Sequence, residues 1–282
     1  MGVRRFTPWW PRSAGAVALM VALAVWAQGV AVGPAMAQAP DKAALAKKLS
    51  NPIADLISVP IQFNFDRGLG AENDGERYLT NVQPVIPFSV TEDWSLISRT
   101  IAPLVGLDGV APVGSEFGLG DVTQSLFFSP KAPGPGGLIW GVGPVALFPT
   151  ATDDALGAGK WAAGPTAVAL LQRDGWTVGA LVNHLWSFAG EDDRADVNAS
   201  FLQPFVAHTW PTATTLTLNT ELSYDWNADQ AAPVVNLFLS QILPVGGQLI
   251  QIGVGARYWI DGPSGGPEGF GARAQLTFLY PR

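Results

Sequence analysis

The feature that most constrains this chain is a two-residue alternation held over runs of ten or more residues. In Ile57 to Asp66, Ile57, Val59, Ile61, Phe63 and Phe65 alternate with Ser58, Pro60, Gln62, Asn64 and Asp66. Thr215 to Trp226, Gln248 to Ile260 and Phe270 to Tyr280 repeat the pattern, each with one apolar and one polar face. Strand side chains point alternately to opposite faces. Soluble sandwich strands usually run to about five or six residues. Strands twice that length, apolar on one side and polar on the other, are the pattern of a transmembrane β-barrel.

Turn signals divide the chain into strands near 56–66, 77–90, 94–104, 117–129, 138–149, 161–172, 176–188, 196–210, 214–226, 233–244, 248–260 and 269–280. The expected fold is all-β: an antiparallel up-and-down barrel of about twelve strands over 56–282. The connections alternate in length. Glu92-Asp93, Arg173-Asp174-Gly175, Pro211-Thr212-Ala213 and Gly246-Gly247 are tight, with Lys131 to Gly137 the exception. Longer, often acidic loops are expected at 67–76, 105–116, 150–160, 189–195, 227–232 and 261–268. Short periplasmic turns and longer outer loops suit such barrels. Trp176 and Trp186 share a face ten residues apart. That separation is about 34 Å along a strand, or roughly 26 Å along the membrane normal, one aromatic girdle to the other.

The uncharged stretch Ala231–Ala256 is no spanning helix, because Pro233, Pro244 and Gly246-Gly247 interrupt it and its own period is two. The N-terminus differs. Arg4, Arg5 and Arg12 precede an apolar run from Ala14 to Val32 and the small-x-small site Ala35-Met36-Ala37. These are the parts of a secretory signal peptide over 1–37, cleaved after Ala37; a membrane anchor is the alternative. Removing three Arg and no acid takes the formal charge from −7 to −10. Residues 38–55 then form an N-terminal periplasmic or hatch segment, in which Leu45, Lys47, Lys48 and Leu49 fit a short helix inside or beneath the barrel.

Composition agrees with an outer-membrane location. Charged residues are 14% of the chain, against the usual quarter, with 11 Trp, 14 Phe and no Cys. An acidic chain is a poor nucleic-acid binder, so none is expected as a partner. Without cysteine there is no thiolate metal site or cysteine nucleophile. No cofactor and no metal are expected.

Several ordered stretches resemble one bacterial family. They are Asn81-Val82-Gln83-Pro84-Val85-Ile86-Pro87, Glu92-Asp93-Trp94-Ser95-Leu96-Ile97-Ser98-Arg99-Thr100, Gly118-Leu119-Gly120-Asp121-Val122 and Phe127-Phe128-Ser129-Pro130-Lys131. Trp140-Gly141-Val142-Gly143-Pro144, Phe148-Pro149-Thr150, Gly159-Lys160-Trp161-Ala162-Ala163-Gly164-Pro165 and Leu202-Gln203-Pro204-Phe205 continue the series. Together they resemble the outer-membrane family of the meta-pathway of phenol degradation, whose members often carry the label transporter or neuromedin U. The resemblance covers nearly the whole mature chain. It implies an outer-membrane barrel with a transport role, often near genes of aromatic catabolism, and brings no catalytic residues with it. Such barrels commonly end in an aromatic read by the assembly machinery; here Pro281-Arg282 follows Tyr280.

Parity gives the lumen candidates. The acids are Asp66, Asp121, Glu221 and Asp225, and the bases Arg99, Arg257 and Arg273. Asn64, Gln62, Gln83, Asn198, Asn219, Gln251 and Gln275 are among their neutral neighbours, and His208 is placed inward too. An arginine facing lipid at mid-bilayer costs about 2–4 kcal/mol, which turns these side chains inward. They form either a polar constriction that selects solutes or a hydrogen-bonded plug of opposite charges. Ile97, Ile101, Val145, Leu147, Val168 and Leu170 form an apolar inner patch. It could meet an aromatic solute or pack against the segment Pro40–Leu56.

The resulting expectation is a passive outer-membrane channel for small, aromatic or hydrophobic molecules. The alternative is a non-conducting structural or interaction barrel, and an outer-membrane lipid enzyme is remote. Gly262-Pro263-Ser264-Gly265-Gly266 matches G-x-S-x-G in letters, but lies in a loop rather than on a strand-to-helix elbow. The expected partners are membrane lipid, lipopolysaccharide, a small solute and the outer-membrane assembly machinery. Six in-strand prolines, Pro60, Pro84, Pro87, Pro144, Pro165 and Pro204, lack a free edge to occupy and are expected to mark bulges.

Overall fold

The computed structural model describes residues 41–110 and 112–280. The signal peptide, its cleavage after Ala37 and the terminal Pro281-Arg282 lie outside the described residues. Fourteen strands follow one short helix, α1 (Lys42–Leu49). They are β1 (Ile57–Leu69), β2 (Gly75–Val82), β3 (Val85–Ser89), β4 (Trp94–Val110), β5 (Gly114–Leu119), β6 (Val122–Pro130) and β7 (Ile139–Phe148). The second half holds β8 (Lys160–Arg173), β9 (Trp176–Gly190), β10 (Asn198–Thr209), β11 (Thr214–Asp225), β12 (Gln230–Val245), β13 (Gln248–Trp259) and β14 (Gly269–Tyr280).

All pairings are antiparallel, and β1 pairs with β14 from Ile57↔Tyr280 to Phe65↔Ala272, which closes the sheet. β2 and β3 are one stave broken at Gln83-Pro84, since both pair with β4. β5 and β6 are likewise one stave broken at Gly120-Asp121. Fourteen strands therefore make a twelve-stave barrel with no open edge.

The expected twelve segments are all present, but two expected loops are not loops. β1 runs on to Leu69 and β2 begins at Gly75; β4 runs on to Val110 and β5 begins at Gly114. The polar residues there pair across strands, as in Arg67↔Glu76 and Glu76↔Asp108. The ladder continues past the apolar band into water, where charged side chains on a strand carry no desolvation cost. Each hairpin turns at a bulge containing a positive-φ glycine, Gly68 (φ 77°) and Gly109 (φ 66°).

Five of the six prolines sit at gaps in the ladder, not at bulges, while Pro87 is paired with Ile97. Pro144 of β7 lies opposite Pro165 of β8. On the far side of each, pairing is skipped at unchanged register: Ser125↔Val145 passes to Phe128↔Val142, and Ala163↔Trp186 to Thr166↔Asn183. Pro204 repeats this toward β11, between Leu202↔Leu222 and Phe205↔Asn219. A proline without an N–H leaves one rung unmade, and the register survives.

The outer surface carries two aromatic bands. Trp94 and Trp140 meet edge to face at the short-turn end, at 5.9 Å between centroids. At the same end His208 lies between Trp176 (4.6 Å) and Trp210 (4.7 Å). Trp161, Trp186, Trp226, Tyr258 and Phe270 are exposed toward the long-loop end. The band between them carries Val178, Val182, Leu216, Leu218, Leu237, Leu239, Ile252 and Val254, all exposed. Among the described residues no helix is long and apolar enough to cross a membrane; this chain crosses with strands.

Candidate functional site: the barrel lumen

Facing side chains on neighbouring strands share one side of the sheet, so closure brings distant residues into one interior. Asp66 of β1 is fully buried there. Arg77 of β2 places Nη2 at 2.9 Å from Asp66 Oδ2, and Trp259 of β13 donates Nε1–H to Asp66 Oδ1 at 2.8 Å. Arg257 Nε lies 3.2 Å from the same Oδ1, an ionic contact without hydrogen-bond alignment. The Arg77 and Arg257 guanidinium groups each lie 5.6 Å from the centre of the Trp259 ring, within cation–π range. Gly271 lies beside Asp66, where an added Cβ would strike the Phe65 carbonyl oxygen.

The second acid extends this group. Glu221 of β11 is 2.9 Å from Arg273 Nη1 and 3.9 Å from Arg257 Nη2, while Arg273 donates Nε–H to Asn64 Oδ1 at 2.7 Å. Three arginines and two carboxylates from β1, β2, β11, β13 and β14 therefore form one network. Buried charges are tolerated when paired and hydrogen-bonded; Arg77 and Arg273 meet both conditions, while Arg257 is held by ionic contacts, its Nε without a hydrogen-bond partner among the described residues.

A chain of side-chain amides continues toward the short-turn end. Arg99 of β4 donates to Gln83 Oε1 (3.2 Å), Gln83 to Gln62 Oε1 (3.5 Å), Gln62 to Gln275 Oε1 (3.0 Å) and Gln275 to Thr277 Oγ1 (3.0 Å). Opposite, the lumen wall is apolar. Ile97, Phe127, Val168, Leu170 and Leu181 are buried together, with Phe201 and Phe205 packed on them. Glycine makes room for the rings: a Cβ at Gly179 would meet Phe205 Cζ at 2.8 Å, and one at Gly253 would overlap Phe238. An aromatic on one strand here covers a glycine on the next.

Residues 41–56 lie across the short-turn end. Asp41 caps α1, its Oδ1 accepting from Ala43 N (2.9 Å) and Ala44 N (3.3 Å), and Lys47 and Lys48 close the last turn near the negative end of the helix dipole. Leu45, Ala46, Ala54 and Leu56 are buried with Ala213, Ile242 and Leu279 of the wall. Ile53 reaches the other side and is buried in the apolar patch. Gln172 Nε2 donates to the Lys47 carbonyl at 2.8 Å. Between this segment and the charged network lie two cavities, of about 180 Å³ and about 190 Å³. Both are bounded by Leu49, Pro52, Gln62, Gln251 and Gln275.

Of the seven residues expected to line the lumen, Asp66, Glu221, Arg257 and Arg273 meet in the network, and Arg99 heads the amide chain. The other two do different work. Asp121 holds the β7–β8 loop, accepting from Ala151 N (3.1 Å) and Ala158 N (2.6 Å). Asp225 caps the β11–β12 turn, accepting from Asn227 N (2.9 Å) and Ala228 N (3.2 Å). Arg77 and Trp259 complete the network although parity had not singled them out as site residues; Arg77 shares the odd parity of Asn81, which was signal enough.

Strand β10 corrects the expected faces. Phe201 and Phe205 point inward, so His208 and Asn198, on even positions, point outward. The expectation assumed that polar residues face the lumen, and on this strand two phenylalanines do. Lys160 was also missed. It is buried and lies 3.2 Å from Asp196 in the β9–β10 loop, whose carboxyl that hydrogen bond holds below its usual range.

No family model and no curated protein match this chain. Solved structures do. The chain is similar to an outer membrane channel from Pseudomonas putida F1, with TM-score 0.62, 13% identity and coverage of 80% of this chain and 96% of that one. Looser superpositions include outer membrane phospholipase A from Escherichia coli (TM-score 0.48, 9% identity, 79% and 90% covered). A porin also aligns (TM-score 0.37, 11% identity, 79% and 99% covered). At these identities the likeness is one of fold, and the fold is that of a bacterial outer-membrane β-barrel.

Proposed function

We propose that this outer-membrane barrel is a passive channel for small molecules, aromatic or hydrophobic ones among them, without cofactor or energy input. The observation that carries this reading is the pair of cavities inside a closed wall, polar on one side and apolar on the other, above a segment held mostly by side-chain packing. Residues 38–55 act as a hatch: among the described residues, one side-chain hydrogen bond ties α1 to the wall. The charged network then acts as a constriction. Membership in the family of the meta-pathway of phenol degradation rests on the ordered motifs from Asn81 to Phe205. Lipid, lipopolysaccharide and the outer-membrane assembly machinery are its partners in this reading, and 1–37 is its cleaved signal.

A closed, non-conducting barrel is the second reading, favoured by the ion pairs that fill the lumen. The enzyme reading finds less. Ser264 of the G-x-S-x-G letters lies in a loop, where Gln230 donates to its Oγ at 3.2 Å. His184 does bond Ser200, Nδ1 to Oγ at 2.8 Å, on the outer face beside Trp186 and Trp226. Among the described residues its Nε2 has no hydrogen-bond partner, so no acid there orients the ring as a catalytic base requires.

Planar-bilayer recordings on the mature chain and on a variant lacking residues 42–53 separate these readings. A channel gives small steps in the first and larger, longer openings in the second. Silence in both, with no liposome swelling, sinks the channel reading and leaves the closed barrel.

A further inference from the structure

Arg77, Arg257 and Arg273 each have a carboxylate partner. Arg99 differs: its guanidinium bonds Gln83 Oε1, and among the described residues no acid lies within ion-pair distance of it, Glu221 acting on it only at longer range. It lines the cavity of about 180 Å³, in which Lys48 is the other cation and no carboxylate takes part. Both amide donors of the nearby glutamines are directed along the wall, from Gln83 to Gln62 and from Gln62 to Gln275. The rest of the lining is mixed: amides and hydroxyls of the wall and of Asn51 face an apolar side made by Leu49, Pro52, Ala54 and Leu56 of the N-terminal segment and by Val85, which lies opposite Arg99 on β3. A part-buried guanidinium with no carboxylate in contact keeps donors to offer, and its fork is shaped to take a carboxylate through two parallel N–H bonds.

We propose that this cavity binds a small organic carboxylate with an apolar body, the carboxylate on Arg99 and the body against Leu49, Leu56 and Val85. The inference deepens the channel reading and rests on it: it names the class of solute that pauses inside the lumen. Lys48 adds a second positive charge on the hatch side, so an anion bridging Lys48 and Arg99 couples the wall to the segment that closes it.

The probe is benzoate, against its neutral analogue benzyl alcohol and its truncated analogue acetate. Binding is read by saturation-transfer NMR on the full mature chain in an alkyl detergent. Saturable benzoate binding is expected, weakened by roughly tenfold or more in Arg99→Gln, as for loss of a charge-assisted pair. Arg99→Lys keeps part of it. Arg173→Gln, on an exposed turn, leaves it unchanged. Heat-modifiable gel migration confirms that each variant is folded. Equal benzoate binding by wild type and Arg99→Gln overturns the site, as does no binding by wild type. Equal binding of benzyl alcohol overturns the carboxylate requirement, and acetate competing as well as benzoate overturns the apolar one. Bilayer recordings on the same preparations keep the two readings apart. Benzoate binding in a silent barrel means the channel reading has failed. Conductance that benzoate neither blocks nor binds means this site has failed.

Discussion

Pro144 and Pro165 stand directly opposite each other across β7 and β8, and each is preceded by a glycine that lies against a neighbouring backbone carbonyl. A Cβ at Gly143 would collide with the Leu126 carbonyl oxygen, and one at Gly164 with that of His184. The two Gly-Pro pairs thus form one paired narrowing of the wall, in which the rungs lost to proline are offset by close backbone approach. Backbone cannot move aside as a side-chain tip can. Gly143→Ala and Gly164→Ala are therefore expected to destabilise the barrel by about 1–3 kcal/mol each, and by less than the sum when combined. Urea unfolding in lipid vesicles measures this, with Gly136→Ala, which meets no atom but has φ 70°, as the comparison for backbone conformation alone.

Asp66 is the most heavily used acid in the lumen, serving Arg77, Arg257 and Trp259. Asp66→Asn keeps the shape but leaves two arginines facing each other. A cost of about 3–5 kcal/mol is expected, that of breaking a buried pair from one side. Asp225→Asn removes only a turn cap and should cost about 1 kcal/mol. The ratio of the two, read from unfolding midpoints, tests whether the network or the turn carries the stability of this end.

Ile53 is the contact between the N-terminal segment and the apolar wall. Ile53→Asp places a charge beside Ile97 and Phe127 and should release that half of the segment while the rest of the barrel stays folded. Longer channel openings and faster protease cleavage near residue 53 are expected. Unchanged recordings together with unchanged cleavage would show that the segment is a fixed floor.

The Lys160–Asp196 pair sets an acid dependence. Asp196 is exposed, and the hydrogen bond from Lys160, followed by that from Ser187, holds its carboxyl below the usual value. A depressed carboxyl stabilises the folded loop at every pH above its ordinary range and loses that contribution as pH falls through the folded value. Protection of the β9–β10 loop from protease should thus be flat from neutral to mildly acidic pH and decline only below the ordinary carboxylate range. In Lys160→Met protection at neutral pH should be lower and its loss on acidification smaller, because only the Ser187 hydrogen bond then holds the carboxyl down.

Asp66, Glu221, Arg257 and Arg273 on the inner face, against Trp176 and Trp186 on the outer, follow from alternation alone. The exception is instructive. On β10 the inward residues Phe201, Gln203 and Phe205 are more apolar than a water-facing rule allows, and only the pairing Phe205↔Gly179 and Phe205↔Asn219 assigns the face. Asp121 and Asp225 have lumen parity too, yet each lies where a strand ends, and a carboxylate there is captured by the free N–H groups of the adjoining loop.

Alternation is a local property, written every second residue, so the sequence by itself determined the barrel, its twelve staves and most of the two faces. It could not say which inward groups meet. Asp66 and Trp259 are 193 positions apart and touch because β1 closes on β14, which in turn lies beside β13. Contact of that kind depends on closure and register, which belong to the whole sheet. The same holds for Ile53 in the apolar patch and for Arg99 on Gln83 with no acid in contact: only the tertiary structure decides which charges meet.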